Sequence, residues 1–519
     1  MLQNRKLLLF VLLLCFMLNA RAQQTYEKTL DLHFDKDYRL TDVIEKENGN
    51  YLITGYSFNG QDYKTARGFL IELSPEGDSI RGIFLPVQHI SWQINSKILN
   101  WTENKTVILS VYDTVVYSPG KTCDFQADIT CVDDTLGVIS SHPLNFFPEY
   151  IFNNISADIN DAGEMIISGD QSINGMHNQL FLYHCNVNGD SIQYKTYRQD
   201  LYNEFTASES FVQFTGDTAK PYLSLCAIQS YVDFVYFNSR MDIAEIHSIE
   251  YPSVYGTFGW CVSYPSTVKY AKGKWFLQGT SCSQSHYFGQ QITITADSAF
   301  NYLNNQYWGL SQYLNNYPAF SGSLDFRDTS VVYFGCTSNL THPGPEADTV
   351  PTWIMLTRAN SKIQPAWTRF YGGDANYVTW KIIATRDGGC VVFASRYDYH
   401  SSDPHQLIYL LKVNADGYVT DTTRSAASGG DAIVHAEGNA VNVFSSTSFA
   451  SPSYFDLKNE KGDIVIEKRI EQPNMQIDVS NLPAGKYQYI YYSVERSQEG
   501  IIYIKQLPGK QKQFINNEN

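Results

Sequence analysis

The sequence predicts an all-β protein, a seven-bladed β-propeller followed by a small C-terminal β-sandwich. Three observations predict it. Short runs of β-branched and aromatic residues are punctuated by Asn, Asp and Gly turns along most of the 519 residues, which is the chemistry hairpins demand. One four-strand unit returns at a nearly even interval. Beyond residue 432 the strand-like runs change their spacing and the unit is lost.

The unit is clearest over residues 367–419. There a run at 380–385 ends in Arg386-Asp387-Gly388-Gly389, a second spans 390–396, and a third at 407–413 ends in Asn414-Ala415-Asp416-Gly417. Glycine in such turns takes φ > 0 without steric cost. Taking the first turn of each unit as a marker gives Gly49, Asn104, Gly163, Asp217, Gly273, Asp328 and Gly388, spaced 54 to 60 residues apart. Seven units of that length fit propeller blades, and an array of sandwiches would not keep so even a period. The fourth unit, around 211–238, is the most degenerate. Closure follows from a mismatch: the seventh unit lacks a fourth strand, and the run at 25–32 (TYEKTLDL) lacks a unit. The N-terminal run is expected to complete blade seven, leaving no sheet edge open.

Residues 1–22 read as a secretory signal: Arg5-Lys6, an apolar stretch too short to span a membrane, and a small-x-small site at Ala20-Arg21-Ala22. The expected product is an exported monomer without a transmembrane span. Removing the signal leaves 35 basic against 53 acidic residues, a balance of −18, which argues against nucleic acid as a partner. Eight cysteines remain. Cys131, Cys185, Cys226, Cys336 and Cys390 lie in apolar runs, as buried thiols do, and Cys123–Cys131 is the expected local disulfide if one forms. No Cys/His spacing suits zinc, and no cofactor is expected.

The propeller is expected over 23–423, with a glycine-rich linker at 424–432, a sandwich at 433–510 and a tail at 511–519. Within the sandwich, 433–444 is expected as one strand. The run Ile477-Asp478-Val479-Ser480-Asn481-Leu482-Pro483-Ala484-Gly485-Lys486-Tyr487, followed by strands ending at Lys505, resembles the C-terminal sorting domain of type IX secretion substrates from Bacteroidetes. Asp478, Leu482, Pro483, Gly485, Tyr487 and Lys505 carry that resemblance. It implies type IX machinery as a partner, and a secreted or outer-membrane-surface location. The glycine turns of unit seven are similar to propeller-like repeats found ahead of such domains. Repeated Asp-Ser/Thr-apolar tripeptides, Thr114 and Thr349 among them, resemble an O-glycosylation acceptor of that group and equally suit turns.

In such a propeller one end carries tight turns and the other carries long loops, expected here at 58–66, 113–122, 280–290, 337–351 and 397–406. Long loops on a rigid frame are where binding concentrates. The loops and blade connections hold Tyr63, Trp92, Tyr117, Tyr202, His286, Tyr287, His342, Tyr377, Tyr397, Tyr399, His400 and His405. Tyrosine and tryptophan surfaces suit sugar rings or peptide. Catalytic motifs are weak: no HExxH, no nucleophile elbow, no phosphate loop. Asn186-Val187-Asn188-Gly189-Asp190 resembles a calcium loop but sits where a turn belongs. Asp374 and Asp398 could pair as glycosidase-like carboxylates. The sequence therefore predicts an exported surface protein that binds a glycan or protein, and the alternative is a secreted glycan-active hydrolase or lyase.

Overall fold

The computed structural model describes residues 25–32, 37–59, 62–86, 91–102, 104–113, 125–144, 151–173, 177–197, 211–228, 231–250, 262–283, 286–308, 315–339, 348–419, 432–445, 453–472, 474–493 and 497–504. The expected signal, Cys123, Thr114, Tyr117, Tyr202, His342, Lys505, the linker up to residue 431 and the tail lie outside them.

Among the described residues, seven antiparallel sheets follow one another along the chain. Blade one is Asp37–Glu45, Tyr51–Asn59, Asp62–Leu73 and Ser79–Phe84. The next blades run from Ser91, Ile151, Val212 and Val262 to Pro143, Tyr197, Glu250 and Trp308. In blade six the innermost position is split, with Asn316–Pro318 and Leu324–Asp328 both pairing Val331–Ser338. Blade seven consists of Asn376–Ala384, Cys390–Tyr397 and Gln406–Val413, with Tyr26–Leu30 as its fourth strand. Tyr26 pairs Lys412 and Leu30 pairs Ile408, antiparallel. Each innermost strand abuts the next blade, and Asn376–Ala384 abuts Asp37–Glu45. The ring is closed, with the N-terminal strand as the clasp. Tyr26 also covers Gly77 of blade one, where a Cβ would meet its ring at 2.8 Å.

The tight-turn end repeats one device. After the third strand of every blade comes a five-residue turn that opens on Ser74, Asp133, Asn186, Asn238, Asp297, Asn360 or Asn414. The side-chain oxygen of that residue accepts the N–H groups two and four positions on, as Asn186 Oδ1 does from Asn188 and Asp190 at 3.0 Å each. The fourth turn residue has positive φ: Gly77, Leu136, Gly189, Met241, Phe300, Ile363 and Gly417. The calcium-like stretch at Asn186 is thus a turn. Where glycine is absent, an apolar side chain is carried into the protein; Met241 is fully buried and Ile363 is 1% exposed. Strain of about 1–3 kcal/mol per position is offset by burial worth about 1.5–3 kcal/mol.

Blade contacts are specific. Trp367, Arg369 and Tyr371 alternate along one strand and so share a face. Trp367 Nε1 donates to Ala415 O at 3.0 Å, Arg369 Nε to Asp416 O at 2.8 Å and Tyr371 Oη to Gly417 O at 2.8 Å. Innermost strands face the channel as edges, and side chains satisfy their N–H groups across blades. Asp42 accepts from Ile98 N at 3.1 Å, Asp158 from Phe214 N at 2.8 Å and Asp325 from Ala384 N at 2.7 Å. Asp42 also takes Lys381 Nζ at 2.6 Å, and Asp325 pairs Lys269.

Cys131, Cys185, Cys336 and Cys390 are buried free thiols. The expected Cys123–Cys131 bridge is therefore corrected. Cys131 points into the apolar core shared by blades two and three, and burial pushes its thiol up.

Beyond the propeller, two sheets face each other: Ala432–Glu437, Ala440–Ser445 and Asn474–Asp478 against Ile464–Ile470, Ser453–Lys458, Gly485–Ser493 and Ser497–Ile504. Val434, Val443, Phe455, Leu457, Ile477 and Tyr489 fill the space between them. The single strand expected at 433–444 is a hairpin that turns at Gly438, whose φ is +58°. No described helix is long and apolar enough to cross a membrane.

Candidate functional site

Two of the expected long loops are hairpin ladders. Residues 58–66 continue the pairing of blade one out to Asn59 opposite Asp62. Residues 280–290 pair from Thr280–Gln291 out to Ser283–His286. Tyr63, Trp92, His286 and Tyr287 stand on strands at this end, and their side chains lie outside the described set. Residues 114–122 and 340–347 also lie outside it.

Arg396 is the penultimate residue of blade seven's second strand. Its guanidinium donates to Asp374 Oδ2 at 2.9 Å and to Asp398 Oδ2 at 3.2 Å, and its Nε to Tyr377 Oη at 3.1 Å. Tyr377 Oη in turn donates to Asp374 Oδ1 at 2.8 Å. Asp374 and Asp398 thus meet, as the sequence suggested, but on a shared cation. Burial alone would lower the Arg396 guanidinium, but Tyr377 and Asp374 outweigh it and hold it above its ordinary range. Both carboxylates are thus tied to one cation of the protein itself.

Tyr377, expected on a binding surface, is 1% exposed. Its ring packs on Tyr409 at 5.0 Å, and burial followed by Asp374 pushes its hydroxyl well up. It positions Asp374 and Arg396 and is not open to a ligand. The glycine pair after blade six makes room for this cluster. A Cβ on Gly372, where φ is +96°, would stand 2.7 Å from the Tyr377 ring, and one on Gly373, where φ is +90°, 2.3 Å from Trp353 Nε1.

Tyr397 and Tyr399 are half-buried and His400 is exposed. The ring of Tyr399 lies 4.2 Å from that of His400, and burial first, then Asp374 and Asp398, pushes its hydroxyl up. His405 Nε2 meets Asp403 Oδ2 at 3.1 Å. Next to this loop, at the blade one–seven junction, Arg39 contacts Gln406 Oε1 at 3.3 Å and Tyr56 Oη at 3.2 Å. Tyr56, Phe58, Ala66 and Tyr112 form a small apolar cluster there, and Tyr112 donates to Asp128 at 2.8 Å. Sequence reasoning named none of Arg39, Tyr56, Phe58, Tyr112 and Arg396. The only available signal was their position at the ends of strands.

The described residues that carry the type IX resemblance lie in and beside one hydrogen-bonded turn. Asp478 Oδ1 accepts Ser480 N at 2.9 Å, Val479 N donates to Asn439 O at 2.8 Å, and Tyr487 Oη donates to Pro483 O at 2.9 Å. Leu482 packs on the sandwich core. Gly485 follows with φ of +159°. Thr349, one of the tripeptide sites, donates its N–H to Asp348 Oδ1 at 2.6 Å and stands at a bend.

No protein-family model matches the chain, and no curated protein matches it. Solved propellers are similar at a distance. The propeller domain of the trilobed protease from Pyrococcus furiosus is 8% identical with a TM-score of 0.38, covering 75% of this chain and 99% of that one. The NanB sialidase from Streptococcus pneumoniae is 11% identical with a TM-score of 0.35, covering 76% and 70%. An acylaminoacyl peptidase from Pyrococcus horikoshii is 10% identical with a TM-score of 0.36, covering 78% and 57%. Likeness at this level says nothing of chemistry.

Proposed function

We propose that the chain is an exported binding protein, with the loop end of the propeller as its ligand face and the C-terminal sandwich as its type IX sorting module. One observation supports binding over hydrolysis. The carboxylates nominated for glycosidase chemistry, Asp374 and Asp398, both close on Arg396. A retaining or inverting pair works as an acid and a base on opposite sides of a bond, and this pair is tied to one cation on the protein itself. What the described loop end offers instead is the half-buried pair Tyr397 and Tyr399 beside exposed His400, ring chemistry suited to sugars or peptide. An array of glycans and peptides probed with the mature chain tests this. Retention without turnover is the expected result, and release of product sugars would favour the hydrolase reading.

Sorting rests on the resemblance of residues 477–487 to the type IX domain. A reporter fused ahead of residues 424–519 and expressed in a Bacteroidetes host is expected on the cell surface. Retention in the periplasm would remove this part of the proposal.

A further inference from the structure

The propeller and the sandwich meet over blades six and seven. Ile433 and Phe444, from the first hairpin of the sandwich, join the same buried apolar cluster as Trp353, Met355 and Phe370 of blade six. Beside that cluster, His435 of the sandwich stands edge-on to Trp353, with ring centroids 6.2 Å apart and planes at 82°. At the rim, His400 of the blade-seven loop stacks on Tyr503 of the last sandwich strand, 4.2 Å apart at 27°. Each module thus presents a histidine to an aromatic ring of the other.

The two histidines differ in what a proton would cost. His435 Nδ1 is dry and has no hydrogen-bond partner. Asn442, opposite it in the hairpin, is neutral, and Trp353 supplies no charge. Glu437, two residues along the same strand, attracts a proton, but burial outweighs it and holds the imidazole below its ordinary 6.5. His400 is exposed, its backbone N–H held by Asp398 at 3.1 Å, and a cation on its ring would gain from the Tyr503 ring. Protonating His400 therefore favours contact, and protonating His435 opposes it.

We infer that the C-terminal sandwich is an acid-released cap on the loop end of blades six and seven, docked while His435 is neutral and freed when it takes a proton. The cap lies beside the blade-seven cluster. Tyr503 is among the groups acting on Tyr399, and Asp374 acts on Tyr489 of the sandwich. The docked state binds fewer protons than the free one. Docking is therefore complete above about pH 6.5, the ordinary histidine value. It weakens as the pH falls, by up to about tenfold per unit until the docked value is passed.

Small-angle scattering of the mature full chain between pH 7.5 and 5 tests this, with circular dichroism as a check on the fold. The expected result is a compact particle at pH 7.5 and an extended two-body profile near pH 5, with unchanged β-sheet signal. His400→Ala should behave the same. His435→Phe, which keeps a neutral ring against Trp353, should stay compact throughout. A chain extended at every pH or compact at every pH would overturn the inference. So would an equal opening in His435→Phe, or an opening that comes with loss of the β-sheet signal. None of these outcomes depends on a ligand, so the binding proposal stands or falls separately.

Discussion

The two ends of the propeller obey different rules. At the tight-turn end, one oxygen at the first turn residue and one positive φ at the fourth recur after the third strand of every blade. At the loop end the described blades are finished in more than one way: by ladders in blades one, three, four and five, by the Arg396 carboxylate cluster in blade seven, and by sandwich residues over blade six. A repeated end is a scaffold and a varied end is where selection has room to act. Substitutions at the first should cost stability, and substitutions at the second should cost recognition.

The largest expected effect falls on the clasp. Removing residues 25–32 strips the five-pair ladder from blade seven and uncovers Gly77, which should cost about 5 kcal/mol or more from lost hydrogen bonds and apolar burial. Thermal unfolding of the truncated chain checks it, and an unchanged midpoint would mean the ring does not need closing. Next comes Phe444→Ala, in the apolar joint between the modules. A truncation of this kind costs about 3–5 kcal/mol in a packed core, here read as loosened docking of the sandwich.

Asp42→Asn should cost about 2 kcal/mol or more, because Lys381 loses its carboxylate inside the channel. Burial alone would raise the Asp42 carboxyl, but Lys381, Lys97 and the Ile98 N–H outweigh it and hold it below its ordinary 3.8. Its contribution is therefore complete above about pH 4 and is lost as the pH falls through the lowered value. Acid unfolding of the variant should accordingly be shallower than that of the parent. Met241→Gly should be the mildest of the scaffold changes, about 1 kcal/mol, since relief of φ strain offsets part of the lost burial. Equilibrium unfolding in urea checks it, and strong destabilisation would show that the positive φ is not strained there.

The repeat was legible in sequence because turn chemistry is local. Asn414-Ala415-Asp416-Gly417 declares its own geometry, and the unpaired run at 25–32 found its place by counting strands. In four blades an apolar residue, Leu136, Met241, Phe300 or Ile363, holds the left-handed position that glycine holds at Gly189 and Gly417. No local pattern marks a residue whose strain is offset by tertiary burial. The ladders at 58–66 and 280–290 read as loops because their polar residues hide the alternation of a strand.

The blade-seven site was half legible. The meeting of Asp374 with Asp398 was anticipated, but Arg396 between them was not, since an ion pair across 22 residues leaves no periodic trace. Burial of Tyr377 was likewise hidden. An aromatic at a blade connection looks the same in sequence whether it faces solvent or packs on Tyr409. The covering of the blade-seven loop by Tyr503 is a contact between modules, which no single-module pattern encodes.

The most direct test of the division between the two ends is ligand retention by paired variants. Tyr397→Ala at the loop end should abolish retention on the glycan or peptide array while shifting the unfolding midpoint little. Arg369→Met at the tight-turn end, which removes the donor to Asp416 O, should lower the midpoint and leave retention at permissive temperature intact. Retention surviving Tyr397→Ala but lost in folded Arg369→Met would contradict the account.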